Sequence, residues 1–160
     1  MVDDRPFHSP TLGPLPFSRV VDEIIAIMGA DPKAEYQLIV GTDSQTYHRT
    51  AEYVTAVVVH RVGKGGRYFW RRVRERRPNS LRERIWREAW LSYEVAQWLI
   101  DALREREVLG YHLEIHVDVG RAGRTRELVE EVVGMIIGVG LPVRTKPEAY
   151  AASTVADKHT

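Results

Sequence analysis

Two carboxylates stand at the ends of stretches predicted to be buried strands. Asp43 follows the apolar run of IVGTDSQTY, residues 39–47. Asp118 lies near the end of LEIHVDV, residues 113–119, in which apolar and polar residues alternate. A charge beside a hydrophobic core is costly unless it is paired or binds a metal. If the two strands are parallel neighbours, their carboxyl ends lie at one edge of the sheet, and we expect these carboxylates to converge there.

Further acidic side chains are candidates for the same place. Glu88 lies at the edge of the apolar stripe of a predicted long helix, so it is expected to face the sheet near the start of that helix. Asp157 and Glu148, near the C-terminus, are candidates for a fourth acid. Each residue also has an ordinary interpretation, because a Glu at the edge of a stripe often extends to solvent and a C-terminal acid is often a simple surface charge.

The chemistry of these residues depends on whether they converge. Carboxylates gathered at one strand end cannot all stay ionised without a cation. Their hard oxygen atoms favour Mg²⁺ or Mn²⁺, which keep positions open for water and phosphate oxygens. Two such ions about 4 Å apart can activate a water and stabilise a leaving oxygen. The pattern therefore predicts either a phosphodiester-hydrolysing metal site or a set of unrelated turn and surface charges.

The order of the predicted elements determines where these residues lie. Strands are predicted over residues 36–42, 53–60, 67–76, 113–119 and 142–146, and helices over residues 18–28, 81–107 and 125–138 and after Pro147. Three strands joined by short turns form an antiparallel meander, whereas strands separated by helices are usually parallel. The sequence therefore predicts an α/β fold. Its mixed five-stranded sheet has three antiparallel strands, then two parallel ones, with helices on both faces.

Two serines are predicted to begin helices. Ser18 is placed to cap the first helix, and Ser80 begins SLRE, which matches a capping box in which Glu83 reaches back to the helix start. On the long helix, Trp90 and Trp98 lie off the apolar stripe. They indicate an additional interface, either with the N-terminal segment or with a second copy of the chain.

Positive charge is concentrated in one stretch although the whole chain carries only +1. Residues 61–87 contain ten Arg and one Lys against two Glu, a local net charge of +9. Such a stretch is the usual electrostatic sign of a polyanionic partner such as nucleic acid. The alternative is a solvated surface in which these residues form ion pairs.

Composition narrows the class of protein. The chain has no Cys, which rules out disulfides and thiolate metal sites and fits a reducing cytoplasm. No apolar run approaches the roughly 20 residues of a membrane span, and the N-terminus has no signal-peptide pattern. We therefore expect a cytoplasmic protein with no membrane association. Residues 1–16 contain four Pro and are predicted to form an extended arm before a single domain of residues 17–160.

Four stretches of this sequence resemble a known family. They are, in order, IVGTDSQ, RIWREAWLS, HVDVG with RTRELV, and KPEAYAASTVADKHT. Together they resemble the YkuK family of ribonuclease H-like proteins over about residues 7–160. The resemblance implies the ribonuclease H-like fold, which the order of strands and helices also indicates. It further implies a catalytic pattern of an Asp on the first strand, a Glu on the first long helix, an Asp at the end of the fourth strand and a later acid.

This resemblance assigns roles to particular residues. Asp43, Glu88 and Asp118 match the first three acids and would hold one or two Mg²⁺ or Mn²⁺ ions. Asp157 matches the fourth, with Glu148 and His159 as alternatives. The candidate contacts to a nucleic-acid backbone are Ser44, Gln45, Arg71, Arg121, Arg124 and Lys146. Arg121 and Arg124 lie in a loop before a predicted helix N-terminus, where anions bind readily.

Two kinds of function follow from these observations. The first is a metal-dependent nuclease that hydrolyses the phosphodiester bonds of RNA, DNA or a hybrid. The alternative is a catalytically inactive ribonuclease H-like module that binds nucleic acid or another protein. The first requires metal-dependent turnover, whereas the second predicts salt-sensitive binding without turnover, or a stable homo-oligomer.

Overall fold

The structure is a computed structural model, and it describes residues 2–117, 126–145 and 159. The elements within these residues are β1 Phe7–Ser9, β2 Gly13–Leu15, α1 Phe17–Ala30, β3 Tyr36–Thr46, β4 Thr50–Arg61, β5 Gly65–Arg76, α2 Leu81–Glu105, β6 His112–Val117, α3 Arg126–Gly138 and β7 Val143–Thr145. The predicted final helix after Pro147 lies outside the described residues, except for His159.

The described strands form one sheet in the order β2-β1-β5-β4-β3-β6-β7. The strands β3, β4 and β5 are antiparallel neighbours, whereas β6 pairs parallel with β3 and β7 pairs parallel with β6. This confirms the predicted mixed sheet, with its meander followed by two parallel strands. The register between β3 and β6 places Gly41 opposite His116.

The predicted number of five strands is wrong, because the described residues already form seven. The two extra strands, β1 and β2, form an antiparallel hairpin within the predicted N-terminal arm, and β1 pairs with β5 at His8 and Trp70. The prolines suggested an extended arm, but Gly13 adopts a φ of 69°, which allows the chain to turn back. Phe7 and Leu15 are then buried in the main core. The boundary between arm and domain stays a prediction.

The two faces of the sheet have different surroundings. On one, here called the helix face, alternate strand residues such as Val40, Val57 and Phe69 share one hydrophobic core with buried residues of α1, α2 and α3. The opposite face is here called the second face. It carries the intervening residues, because successive side chains of a strand point to opposite sides. All three described helices, α1, α2 and α3, pack on the helix face, so the predicted placement of helices on both faces stays a prediction.

Both predicted helix caps can be compared with the structure. Ser80 precedes α2 and its hydroxyl accepts a hydrogen bond of 3.2 Å from the Glu83 amide, as predicted. The Glu83 carboxylate returns to the amide of Asn79 at 2.8 Å, one residue earlier than in the expected capping box. Helix α1 begins at Phe17, so Ser18 lies inside it and Pro16 occupies the position before it. That first cap was predicted wrongly.

Arg71 holds the N-terminal segment against the sheet. Its side chain is 1% exposed and lies on the helix face of β5. Its Nη1 atom donates to both oxygens of the Asp3 carboxylate, at 2.9 and 3.0 Å. The guanidinium also lies 4.7 Å from the centre of the Trp98 ring and 5.6 Å from that of Phe7. This explains Trp98, one of the two tryptophans predicted to mark an interface, by contact within the chain.

We expect Asp3→Asn to lower the free energy of unfolding by about 1–3 kcal/mol at neutral pH, because a buried guanidinium would lose its charged partner. Urea denaturation of the full chain measures this. Asp4→Asn is the matched control, since it neutralises an adjacent, exposed carboxylate. An equal loss of stability in both variants would contradict this role for Asp3.

The same contact makes stability depend on pH. Burial raises the pKa of Asp3, but the hydrogen bond from the Arg5 amide and the charge of Arg71 together hold it below the ordinary value. The stabilisation is therefore complete above the ordinary Asp pKa of about 3.9 and is lost as the pH falls through the lower folded-state pKa. Denaturation at a series of pH values should show the difference between wild type and Asp3→Asn vanishing at the acid end of that range.

Candidate active site

Asp43 lies inside β3, not after its end. The strand was predicted to stop at residue 42, but it continues to Thr46 and pairs with β4, with Asp43 opposite Val54. Paired β4 residues supply the hydrogen bonds that extend β3 through the polar block TDSQT. The Asp43 side chain is half-buried and belongs to the second face, together with Gln45, which is exposed. The two residues are therefore presented by a paired strand and not by a turn.

Ser44 points the other way and contacts the long helix. Its hydroxyl is buried on the helix face and donates to Oε1 of Glu88 at 2.6 Å. The same hydroxyl oxygen accepts from Nε of Arg84 at 2.7 Å, and the Ser44 carbonyl accepts from Nη2 of Arg84 at 2.6 Å. Glu88 therefore faces the sheet, as its position at the edge of the apolar stripe indicated. Ser44 therefore orients Glu88, whereas the sequence predicted it as a contact to a nucleic-acid backbone.

A line of buried hydroxyls continues this contact into the core. Thr42 Oγ1 lies 2.7 Å from Ser92 Oγ of α2 and 2.9 Å from Thr55 Oγ1 of β4. All three residues are buried, and each hydroxyl finds its partner inside the protein. Buried polar groups of this kind require a specific partner geometry. The hydrogen bonds therefore fix how far α2 lies along β3, and with it the position of Glu88 one helical turn away.

The acids of this region approach β3 from two sides. Glu88 is 16% exposed on the helix face and lies 3.9 Å from the Arg84 guanidinium, whereas Asp43 belongs to the second face. In the part of the chain that the structure describes, no three His, Asp or Glu side chains form a group that could hold a metal ion. The other acids predicted for the site, Asp118 and Asp157, lie outside the described residues.

The strand next to Asp43 carries a paired histidine. His116 of β6 is 5% exposed, and its Nε2 lies 2.7 Å from Oε1 of Glu114. Both side chains share the second face with Asp43, because Gly41 and His116 are paired. His116 is therefore a buried histidine with a carboxylate partner. The partner occupies one ring nitrogen; Nδ1 is buried and makes no hydrogen bond within the described residues.

On β5, the strand on the other side of β4 from β3, the second face carries a cluster of stacked rings. Trp70 is stacked between two histidines, with ring centres 4.5 Å from His8 and 4.3 Å from His159. A ring nitrogen of His159 lies 3.2 Å from the Tyr68 hydroxyl, and its carbonyl accepts a hydrogen bond from Arg72. The one described residue of the C-terminal segment is therefore attached to the same face of the sheet as Asp43. Sequence patterns gave no signal for this cluster.

Most of the basic stretch is neutralised by acids. Within the described residues, seven of the ten arginines in residues 61–87 form ion pairs. The pairs are Arg61–Asp31, Arg71–Asp3, Arg72–Glu52, Arg74–Glu52, Arg82–Glu131, Arg84–Glu88 and Arg87–Glu75. The hydrogen bond from Arg74, against the effect of burial, keeps the pKa of Glu52 below its ordinary value. The ion-pair interpretation of this stretch thus holds for these residues.

The residues predicted to contact a nucleic-acid backbone differ in exposure and position in the structure. Arg71 faces the core and is bonded to Asp3, so its side chain is not presented to a ligand. Gln45 is exposed beside Asp43 on the second face. The remaining predicted contacts lie outside the described residues: Arg121, Arg124 and Lys146. Arg84 was missed, although its spacing of four residues from Glu88 on a helix was a usable signal.

Comparison with known proteins agrees with this architecture. A family model described as Ribonuclease H-like matches residues 19–160. The chain belongs to the ribonuclease H-like family. It is also 32% identical over 171 aligned residues to "Uncharacterized protein YkuK" of Bacillus subtilis (strain 168), covering 100% of this chain and 99% of the relative. No solved structure gives a significant match.

Membership of the ribonuclease H-like family fits the observed sheet. The family match extends from α1 to the C-terminus and so includes the acids on β3 and α2. The full-length similarity to YkuK confirms the resemblance drawn from GTDSQ and KPEAYAAS. Among the described helices, none is long and apolar enough to cross a membrane.

We expect Ser44→Ala to lower the free energy of unfolding of this ribonuclease H-like protein by about 1–2 kcal/mol. The variant removes the donor to Glu88 and leaves Arg84 Nε without its acceptor, in a partly buried network. Thermal or urea denaturation measures the change. Ser18→Ala, which alters an exposed serine of α1, is the control. Unchanged stability in Ser44→Ala would show that the network does not hold α2 on β3.

Proposed function

We propose that this protein is a metal-dependent nuclease that hydrolyses phosphodiester bonds in nucleic acid. Asp43, Glu88 and Asp118, with Asp157 as a fourth acid, would hold one or two Mg²⁺ or Mn²⁺ ions. Cleavage would leave a 3′-hydroxyl and a 5′-phosphate. Membership of the ribonuclease H-like family supports the reaction class.

The parallel pairing of β3 with β6 is the observation that carries this proposal. Gly41 lies opposite His116, and both strands run in the same direction. A register that continued for two more residues would bring Asp118 level with Asp43, on the second face. Two carboxylates brought that close together would favour a shared cation.

The donor chemistry of these residues fits a hard divalent ion. Carboxylate oxygens are the preferred ligands of Mg²⁺ and Mn²⁺. When bound, such an ion would polarise the phosphate and lower the pKa of a coordinated water. In this proposal Asp43 supplies its carboxylate from a paired strand, and Glu88 is oriented by Ser44 and Arg84. The Arg84 charge would balance Glu88 when no cation is bound.

A second candidate function is nucleic-acid binding without cleavage. It is favoured by one specific observation: the Glu88 carboxylate already engages the Ser44 hydroxyl and lies 3.9 Å from Arg84. A glutamate held in this way can serve to attach α2 to β3 instead of binding a metal. The two functions differ in turnover, not in affinity for nucleic acid.

We expect metal-dependent cleavage of at least one substrate in a panel of labelled single-stranded RNA, single-stranded DNA, the two duplexes and an RNA–DNA hybrid. Each is incubated with Mg²⁺, Mn²⁺ or EDTA. Asp43→Asn and Asp118→Asn should each reduce the rate by about 10²–10³-fold, because several kcal/mol of transition-state stabilisation would be lost. Both variants should remain folded, since removing one of several adjacent carboxylates relieves repulsion.

Asp101→Asn is the matched control for this experiment. It changes an exposed carboxylate on α2 that accepts a hydrogen bond from Gln97, and it should cleave at the wild-type rate. Wild-type cleavage by Asp118→Asn would remove that residue from the site. Absence of cleavage by folded wild-type protein on every substrate, together with binding, would favour the non-catalytic module.

A further inference from the structure

Three arginines at one end of the sheet are not paired with acids of the described residues. Arg76 ends β5, Arg77 follows it, and Arg49 lies in the turn between β3 and β4. All three side chains are exposed, and within the described residues none of them forms an ion pair with a carboxylate. Their neighbours Arg72, Arg74 and Arg87 are all paired. Three unpaired guanidinium groups are therefore gathered at one end of the sheet, whereas Lys64 and Arg67 lie at the opposite end of β5.

Backbone contacts hold these three arginines together. Thr50, next to Arg49, pairs with Arg76 in the β4–β5 ladder. The Arg77 amide donates to the Arg49 carbonyl at 3.0 Å. The Arg77 guanidinium donates one hydrogen bond of 3.0 Å to the Tyr47 carbonyl, which leaves its other N–H groups for a ligand. The backbone positions of the three arginines are thus fixed by the ends of paired strands and not by a free loop.

The three side chains line one cavity. Its volume is about 530 Å³, and Pro78 and Asn79 complete its wall. Among the described residues, no carboxylate lines it. An adjoining cavity, which shares Arg76 and Arg77, is lined by Glu75 and Glu83 as well. Those two acids are already engaged, Glu75 by Arg87 and Glu83 by the Asn79 amide. Three guanidinium groups around an acid-free cavity are suited to phosphate oxygens.

The cavity lies at the same end of the sheet as Asp43. Residues 43 and 76 are separated by two strand spacings, about 10 Å, across the sheet and by four residues, about 13 Å, along it. Arg76 belongs to the second face, as Asp43 does, because both alternate with residues on the helix face. A nucleic-acid strand several nucleotides long can therefore contact both places.

We infer that Arg49, Arg76 and Arg77 form a phosphate-binding site for the backbone of a nucleic-acid strand, at a distance from the carboxylates. This inference rests on the proposed function for the class of its ligand, but it concerns binding and not cleavage. It assigns the contact with the nucleic-acid backbone to arginines that are exposed and unpaired within the described part of the chain. Arg71, which the sequence predicted for this contact, is buried.

The test is equilibrium binding of a labelled single-stranded oligonucleotide in EDTA, where no metal-dependent turnover occurs. Fluorescence anisotropy gives the association constant at several salt concentrations between about 50 and 200 mM. The variant R49Q/R76Q/R77Q removes the three charges. The control K33Q/K64Q/R67Q removes three exposed charges at the opposite end of β3 and β5. Circular dichroism verifies that both variants are folded.

The loss of three phosphate contacts has a quantitative signature. Each contact to a single strand contributes about 0.7 to the slope of log K against log salt. We expect R49Q/R76Q/R77Q to reduce that slope by about 2 and to weaken binding about 10²-fold near 0.1 M salt. The control variant should keep the wild-type slope. Inorganic pyrophosphate is added as a competitor and should displace the oligonucleotide only weakly.

Each other outcome overturns the inference. A wild-type slope in R49Q/R76Q/R77Q would place the backbone elsewhere, even if the protein cleaves nucleic acid. Equal losses in both triple variants would indicate a general charge effect. Full competition by pyrophosphate at the same concentration as the oligonucleotide would identify a site for free polyphosphate. No binding by wild-type protein would also overturn it, while the cleavage panel tests the proposed function separately.

Discussion

The alternation of side chains along β3 is the constraint on which this structure depends. Asp43 and Ser44 are adjacent in sequence, yet a strand turns them to opposite faces of the sheet. Ser44 is thereby able to bind Glu88 and Arg84 of α2, and Asp43 is left on the second face beside β6. A shift of β3 by one residue would exchange these roles. The long pairing of β3 with β4, from Tyr36 to Thr46, prevents such a shift.

Much of the fold could be predicted from sequence because its signals are local. β-branched runs and the turn after Arg61 indicated the meander, and Ser80 marked the start of α2. The contact of Ser44 with Glu88 could not be predicted from the sequence, although the stripe on α2 indicated that Glu88 faces the sheet. The N-terminal hairpin was missed because its strands are only three residues long, too short for a period to be recognised. Its stability comes from burial of Phe7 and from Asp3, both of which require the tertiary structure.

The charged residues show why a linear stretch of charge is a weak guide to a site. Five carboxylates from outside residues 61–87 pair with arginines of that stretch and partly offset its charge of +9. They are Asp3, Asp31, Glu52, Glu88 and Glu131. Arg71 differs from the neighbouring arginines because its side chain is buried. The tertiary structure shows which arginines of the described residues retain an unpaired charge: Arg76 and Arg77 lie near the β3–β4 turn, and Arg67 lies at the other end of β5.

The β1–β2 hairpin has a consequence for the solution behaviour of the protein. A strand at the border of a sheet offers unpaired amide and carbonyl groups to any other extended chain. The hairpin covers part of that border, because β1 pairs with β5 at His8 and Trp70, and the two rings of these residues stack. At the other border of the described sheet, β7 has three residues. Losing the N-terminal hairpin would therefore leave more of β5 open to pairing with another extended chain.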